Sequence, residues 1–237
     1  MISLPLLVAV ALAGGTPAAE QGLYFEQTTV TYAAGRPAGP GVVARVWCLG
    51  KRMRLEPGES QAGPAFILRL DRGTAYRIEP SERTVVAIDM GRLRARSQMD
   101  LSMAGDLMGA DAETPARTRP LGAKRTIAGF VCDGFRVTTG STVMDLYVTR
   151  SLGVGVDRFA DFLNWAGASQ ALAGLIDEIR RLPGFPLETR ARVTVMGEVQ
   201  ETRSTVTRIE VGPQPASLFE PPAGFRVIEE EELPEER

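Results

Sequence analysis

The stretch Phe66–Asp89 reads Phe-Ile-Leu-Arg-Leu, Asp-Arg-Gly, Thr-Ala-Tyr-Arg-Ile-Glu, Pro-Ser-Glu-Arg and Thr-Val-Val-Ala-Ile-Asp. Side chains of a strand alternate between its two faces, and Gly, Pro, Asp and Ser favour turns. Asp71–Gly73 and Pro80–Arg83 therefore predict two turns between three strands. The apolar positions that alternate with polar ones are predicted to share a face: Phe66, Leu68, Leu70, Tyr76, Ile78, Val86 and Ile88. The stretch predicts an antiparallel meander with one apolar face and one charged face.

Further strands are predicted on both sides of this meander, from β-rich or alternating patterns bounded by glycine and proline. They are Gly22–Ala33, Val42–Glu56 as a long strand or as a hairpin about Gly50-Lys51, Thr126–Thr139, Val143–Thr149, Phe185–Met196 and Gln200–Val211. Many strands with few helices predict an α+β protein that is mainly β.

Three segments depart from this strand pattern. Asp157–Leu182 carries apolar residues at helical spacing, and its two internal glycines allow either one helix or two. Gly91–Gly109 lacks a period of two and contains or adjoins four of the eight methionines. Because methionine is adaptable, this segment either fills the open side of the sheet or forms a movable lid over a lipid-sized cavity. Ala110–Gly122 is predicted to be a polar linker.

Composition excludes several classes of function. The net charge of −2 gives no concentrated basic surface for nucleic acid. Histidine is absent, which rules out a Ser-His-Asp triad and a histidine-ligated zinc site. Arginine outnumbers lysine 25 to 2. That bias reflects either genomic codon usage or a set of guanidinium forks for anions.

The two ends of the chain are predicted to lie outside the folded domain. Residues 1–19 hold an apolar run of about a dozen residues, too short for the ~20 that span a bilayer. The run is typical of a signal peptide cleaved near Ala19, with a buried core helix as the alternative. We therefore expect a soluble, exported, periplasmic protein without a transmembrane span. A single domain is predicted over residues 20–227, followed by an acidic, disordered tail over 228–237.

Cys48 and Cys132 are the only cysteines. An even number in an exported protein favours a disulfide, and two buried thiols that never meet are the alternative. The short spacing of a catalytic redox pair is absent.

Several motifs resemble those of a known fold. The segments Val46–Arg52, Phe66–Leu68 and Asp71–Gly73, with Tyr76 and Pro80, resemble the early strands of the LolA/LolB lipoprotein-carrier fold. Ile127–Cys132, Gly184–Leu187 and Ser217–Phe225 resemble an exported bacterial domain family of unknown function with that fold. The resemblance implies a strongly curved antiparallel sheet, an unclosed half-barrel with helices in its mouth. It also implies a role in carrying or sensing acyl chains, but it assigns no ligand residues.

The function predicted from these features is non-enzymatic binding or carriage of a lipid or an acylated protein. The residues predicted to line the cavity are aromatic or aliphatic: Trp47, Phe66, Leu68, Tyr76, Ile78, Met144, Phe159 and Phe162. The alternative is an envelope interaction or sensor module with a filled core and no small ligand, which would bind a protein partner. An enzyme is disfavoured, because Asp177 and Glu178 are helix neighbours that cannot face each other, and Gly153-Val-Gly155 lacks a nucleotide-loop context. No cofactor and no metal are predicted.

Overall fold

The computed structural model describes residues 21–92, 115–140, 142–153, 170–195 and 198–230. Thirteen strands of this part of the chain form a single sheet. Their bounds are β1 Gln21–Ala33, β2 Arg36–Pro37, β3 Val42–Leu49, β4 Arg52–Pro57, β5 Ala65–Arg69, β6 Thr74–Glu79, β7 Thr84–Asp89, β8 Arg117–Ile127, β9 Phe130–Thr139, β10 Thr142–Thr149, β11 Phe185–Val195, β12 Glu198–Pro213 and β13 Arg226–Glu229. Helix α1 spans Gln170–Arg180, and a 3-10 helix spans Ala216–Phe219.

The strand order is β13-β7-β6-β5-β4-β3-β1-β12-β11-β10-β9-β8, and β2 pairs with β1 outside this path. All pairs among these described strands are antiparallel except β13 with β7, which is parallel. Because β13 and β8 form separate edges, the curved sheet is an unclosed half-barrel. This architecture confirms the predicted α+β, mainly β, fold class.

The register of the meander corrects the prediction of a single apolar face. Ile67 lies opposite Tyr76, and Leu68 lies opposite Ala75. Four residues separate the paired ends Arg69 and Thr74, so odd positions of β5 share a face with even positions of β6. Phe66 and Leu68 therefore point away from the face of Tyr76 and Ile78, and both faces of the meander are apolar.

Two tight turns divide stretches that the sequence pattern leaves less clear. The hairpin about Gly50-Lys51 is present, with Leu49 paired to Arg52. Thr126–Thr139, predicted as one strand, is interrupted at Ala128-Gly129, where both residues have positive φ and join β8 to β9. This local conformation is the one that a two-residue hairpin requires.

The predicted linker Ala110–Gly122 ends earlier than expected, because β8 begins at Arg117. Pro120 is tolerated there, since β8 is an edge strand and its pairing with β9 is irregular between Pro120 and Lys124. Residues 110–114 lie outside the described part of the chain.

Hydrophobic clusters in four places hold the described part of the sheet together. The central one joins β1 and β3 to the strands of the other half of the sheet and includes Leu23, Phe25 and Phe185. The rings of Phe25 and Phe185 pack edge to face with centroids 5.5 Å apart. A second cluster lies between α1 and β9–β10. Two smaller clusters cover the faces of the meander, one around Phe219 and one around Leu68 and Met90.

Some predictions concern residues outside the described part. Residues 1–19, most of Gly91–Gly109, the first half of the predicted helix and residues 231–237 belong to this group. Strand β13 extends to Glu229, two residues into the segment predicted as the tail. No helix in the described ranges has the length and apolar character needed to cross a membrane.

Candidate functional site

A continuous apolar face crosses six strands on one side of the sheet. Cross-strand neighbours in register share a face, and the pairs run from β1 through β3, β4, β5 and β6 to β7. We call this set the apolar face; its members are Leu23, Phe25, Val46, Cys48, Met53, Leu55, Phe66, Leu68, Ala75, Val86 and Ile88. Seven of these eleven residues are buried in the core, so only the other four can offer surface to an apolar partner: Met53, Leu55, Phe66 and Ile88.

Part of the apolar face is not fully packed within the protein. Leu68 and Val86 are buried, whereas Met53, Leu55, Phe66 and Ile88 are half-buried. These four side chains come from three strands, β4, β5 and β7, and surround the buried pair. The apolar face therefore keeps accessible hydrocarbon surface at its centre.

Arg77 places a cation within the apolar face, between Phe66 and Val86 in the register. Its Nε lies 3.2 Å from Glu79 but makes no hydrogen bond to any described residue. Arg77 thus forms an ion pair with Glu79, and its side chain is 41% exposed, so the accessible part of the guanidinium can in addition meet an anionic group. An apolar surface with one such cation suits a molecule that has a hydrocarbon chain and an acidic head.

The opposite face of the meander is filled by the C-terminal segment Ser217–Phe225. Phe219 is fully buried in a cluster with Ile67, Ile78 and Val85. Leu218 and Phe225 pack against the edge of the same cluster. This side of the meander is thus part of the core.

Charged contacts attach the same C-terminal segment to β5. Arg69 is buried, and it binds Asp71 through two hydrogen bonds of 2.9 and 2.8 Å. It also donates to Glu220 and, at 3.3 Å, to the carbonyl oxygen of Phe219. The hydrogen bond from Arg69, with its charge, holds the pKa of Asp71 below its ordinary value. These contacts stabilise the covered face rather than offering chemistry to a substrate.

The predicted cavity residues fall into three groups. Trp47, Tyr76 and Ile78 lie together in the cluster around Phe219. Phe66 and Leu68 lie on the apolar face, on the other side of the sheet. The structure does not bring these two groups together, because the turn between β5 and β6 places them on opposite sides.

Met144 alone makes up the third group of predicted cavity residues in the described part of the chain. It is buried between β10 and α1, in a cluster with Leu175, Ile176 and Ile179. Phe159 and Phe162 lie outside the described residues. Sequence reasoning missed Met53 and Leu55, and it placed Ile88 on an apolar face without including it among the cavity residues. The alternation of all three with charged or small residues was a usable signal.

The two cysteines are buried in the same hydrophobic cluster. They are thiols in the structure, so the predicted disulfide is not confirmed and stays a prediction. Burial, followed by the negative charges of Asp133 and Glu188, raises the pKa of the Cys132 thiol to about 11. A thiol with this pKa is a poor nucleophile near neutral pH.

Within the described ranges, no group of three or more cysteine, aspartate or glutamate side chains is placed to hold a metal ion. Two strongly buried carboxylates are instead paired with arginine: Asp145 with Arg136 and Glu188 with Arg125.

The fold and these surfaces define a non-closed, mainly β half-barrel whose meander has one fully covered face and one apolar face that is accessible in part. Residues 66–225, which are 160 of the 237, match the family model described as "Domain of unknown function (DUF4412)". The chain belongs to this family. The match confirms the predicted membership of a family of unknown function, and no curated protein matches the chain at a significant level.

The chain is also similar, at low sequence identity, to several solved structures. An uncharacterized conserved protein from Thermus thermophilus is 11% identical, with coverage of 90% of this chain and 91% of that one and a TM-score of 0.45. PNGF-II is 12% identical with a TM-score of 0.40; the match covers 88% of this chain, which spans 31% of PNGF-II. A putative outer membrane lipoprotein-sorting protein domain from Vibrio parahaemolyticus is 8% identical, with coverage of 84% and 88% and a TM-score of 0.32.

Proposed function

We propose that this protein is an exported, non-enzymatic binder of an acyl chain, carried by a lipid or by an acylated protein. The observation that carries the proposal is the accessible part of the apolar face, where half-buried side chains of β4, β5 and β7 share one face in register. An acyl chain would lie across Met53, Leu55, Phe66 and Ile88. Burial of apolar surface would supply the affinity, at about 25 cal/mol for each Å² removed from water.

The position of Arg77 supports an acidic amphiphile as the ligand class. Its guanidinium adjoins the half-buried Phe66, so a carboxylate or phosphate head could pair with it while the chain covers the apolar face. Charge-assisted hydrogen bonds of this type are stronger than neutral ones. We therefore expect a fatty acid to bind better than its methyl ester.

The experiment has two parts. Native mass spectrometry of the mature protein, purified from the exported compartment, should show a bound mass of acyl-chain size. A dansyl-labelled undecanoic acid should then bind to delipidated protein, with fluorescence as the readout. Phe66→Gln should weaken this binding, because it places an amide in the middle of the apolar face.

Val131→Gln is the matched control, since Val131 is 59% exposed and lies on β9, away from the apolar face. Arg77→Gln should weaken binding of the acid and leave binding of its methyl ester unchanged. Equal binding by the wild type, Phe66→Gln and Val131→Gln would indicate nonspecific adsorption and would contradict the proposed site. An apo mass together with no binding of the dansyl probe would contradict the proposal.

The second candidate is an interaction or sensor module with a filled core and no small ligand. It is favoured by the covered face, where the protein's own Phe219 occupies the site next to Tyr76 and Ile78. A protein partner recovered from envelope extract by the apo protein, together with failure of the dansyl probe to bind, would support this candidate.

A further inference from the structure

A charged row crosses four strands on the side of the sheet opposite the apolar face. Arg136, Asp145, Arg190 and Arg203 are successive neighbours in register across β9, β10, β11 and β12. Arg203 pairs with Val30 of β1. Val30 lies on the face of β1 opposite Leu23 and Phe25, so the row lies on the side of the sheet opposite the apolar face. We call these four residues the arginine row; it is separate from the acyl-chain site proposed above.

The carboxylates in and beside the arginine row are already bound by several arginines. Asp145 accepts two hydrogen bonds from Arg136, at 2.5 and 2.7 Å, and one from Arg192 at 3.0 Å. Glu188 is 3% exposed and binds Arg125 at 2.8 Å and Arg203 at 3.1 Å. Each acid thus has charge-assisted contacts with two guanidinium groups.

Within the described residues, Arg190 is left without a close partner in the middle of this network. Its nearest carboxylate oxygens are 3.6 Å away on Glu201 and 3.8 Å away on Glu188. Its Nε is buried and makes no hydrogen bond within the part of the chain that the structure describes. A buried guanidinium nitrogen without an acceptor is costly, and the two long ion pairs compensate the charge of Arg190 only weakly. The side chain is 29% exposed, so an anionic ligand can meet the accessible part of this guanidinium and improve its charge compensation.

The local charge balance also favours an anion. Among the described side chains of this network, five arginines meet three carboxylates; they are Arg125, Arg136, Arg190, Arg192 and Arg203 against Asp145, Glu188 and Glu201. The arginines of this set exceed its acids by two charges. Arginine clusters of this kind recognise phosphate and carboxylate through paired N–H groups.

A cavity of about 690 Å³ opens beside the Arg190 guanidinium. Arg190 and Arg203 lie in its wall, with Tyr32 from β1 and Glu201 from β12. The segment Ala33–Gly35, at the turn between β1 and β2, closes another side. This volume is in the range of small-molecule sites and exceeds the space that one inorganic ion needs.

We propose that this cavity binds a phosphorylated ligand, with the phosphate held by Arg190 and Arg203. A phosphate offers enough oxygen atoms to accept from both guanidinium groups and from the Tyr32 hydroxyl at the same time. Glu201 contacts Arg190 and Arg192 only at 3.6 and 4.0 Å, so the ligand does not have to break a close ion pair. The shared chemistry, a phosphate ester, occurs in soluble metabolites and in lipid headgroups.

Titration calorimetry with glycerol 3-phosphate and flotation with phosphatidylglycerol vesicles distinguish these two sources. Phosphatidylcholine vesicles give the background, because the choline ammonium balances the charge of their phosphate and shields it. Arg190→Gln should weaken binding of the true ligand by about tenfold, the loss of one charge-assisted contact pair. If Arg190→Gln weakens the binding of glycerol 3-phosphate, the ligand is a soluble phosphate ester. If this variant weakens only the binding to phosphatidylglycerol vesicles, the ligand is a lipid headgroup.

Two further variants complete the test. Arg226→Gln is the matched control, because Arg226 is exposed on β13 at the other edge of the sheet, and its binding should equal that of the wild type. Tyr32→Phe tests the same cavity in case Arg190→Gln folds poorly. It removes a single hydroxyl group, so we expect it to weaken binding less than Arg190→Gln does. The proposal is overturned if neither probe binds the wild type, or if Arg190→Gln and Arg226→Gln weaken binding equally.

Discussion

Arg69 and Glu220 are 151 positions apart in the sequence, and their side chains form an ion pair that attaches the C-terminal segment to β5. Arg69 is almost fully buried, whereas the Glu220 carboxylate is 44% exposed. Glu220 also binds Arg72 at 3.1 Å. One acid thus bridges the end of β5 and the hairpin loop that follows it, while the neighbouring Phe219 enters the core.

We expect Glu220→Gln to lower the free energy of unfolding by about 1 kcal/mol, since the pair is charge-assisted but partly screened by water. The loss is limited because Arg69 keeps both hydrogen bonds to Asp71. Urea denaturation measures the change. Glu59→Gln is the control, because the Glu59 side chain is 89% exposed; an equal loss in the two variants would show that the bridge contributes nothing.

Phe219→Ala should destabilise the protein by about 3–5 kcal/mol, the range for truncation of a fully buried aromatic side chain. The phenyl ring fills the covered face, and its removal leaves a cavity among Ile67, Ile78 and Val85. Thermal denaturation followed by circular dichroism gives the measurement. Val227→Ala, at an exposed position of β13, should change stability little. A small effect of Phe219→Ala would mean that this segment is not part of the core.

Gly184→Ala should be strongly destabilising, by about 1–3 kcal/mol or more for the backbone conformation alone. Gly184 has φ of +124°, and an added Cβ would lie 2.3 Å from the carbonyl oxygen of Thr149. The measurement is the urea midpoint. At Gly212 an added Cβ meets nothing within 4 Å among the described residues, so Gly212→Ala serves as the control. Equal stability of the two variants would contradict the close approach of Gly184 to the end of β10.

The Cys132 thiol should react slowly with iodoacetamide in the folded protein, because its pKa is raised to about 11 by burial and then by Asp133 and Glu188. The protonated thiol is the form that the folded state favours. The stability that the folded state gains from this preference is therefore complete below the ordinary thiol pKa of 9.0 and is lost as the pH rises towards 11. Alkylation rates and unfolding curves between these pH values test this, with Cys132→Ala as the control that removes the pH dependence.

The alkylation experiment requires that Cys132 is a thiol, as it is in the structure, and mass spectrometry checks this directly. The mass of the exported protein with and without reductant should differ by two hydrogens if Cys48 and Cys132 are joined. An unchanged mass would retire the disulfide prediction.

Asp145→Asn should destabilise the protein by about 3 kcal/mol, the lower end for removal of one partner of a buried ion pair. Burial opposes the charged form of Asp145, but the hydrogen bonds and charge of Arg136, followed by Arg192 and Arg190, outweigh it and hold the pKa below the ordinary 3.8. The stabilisation is thus complete above that value and is lost as the pH falls through the lowered pKa. The wild type should lose stability at low pH as Asp145 becomes protonated, and Asp145→Asn should lack this loss. The same loss of stability at low pH in both proteins would contradict the assignment.

The sequence alone carries much of the strand pattern. Period-two alternation around Phe66–Asp89 predicts the three strands that the structure contains as β5, β6 and β7. The pattern of Val42–Glu56 allows either a long strand or a hairpin about Gly50-Lys51, and the structure contains the hairpin, as β3 and β4. Alternation and turn residues act over a few neighbouring positions, so they can be recognised without knowledge of the rest of the chain.

The candidate sites are less accessible to this reasoning. Alternation predicts Phe66 and Leu68 on the same surface as Tyr76 and Ile78, but the structure places them on opposite sides. The pattern defines two faces in each strand and does not say which faces of neighbouring strands coincide. The register across the turn decides this, and it depends on the number of loop residues that the folded hairpin accommodates. The excess of arginine allows the interpretation that some guanidinium groups bind anions. It does not show which guanidinium has no close carboxylate.

The sequence by itself determined most of the strands, several of the turns, the absence of histidine chemistry and the membership of a β-rich family. Only the tertiary structure decided that Phe219 fills one face of the meander, that the other face remains an apolar surface, and that Arg190 lacks a close partner among the described residues. The physical reason is the range of the interactions. Alternation is local, whereas the pairing of Arg69 with Glu220 and of Asp145 with Arg136 and Arg192 depends on which distant strands become neighbours in the sheet.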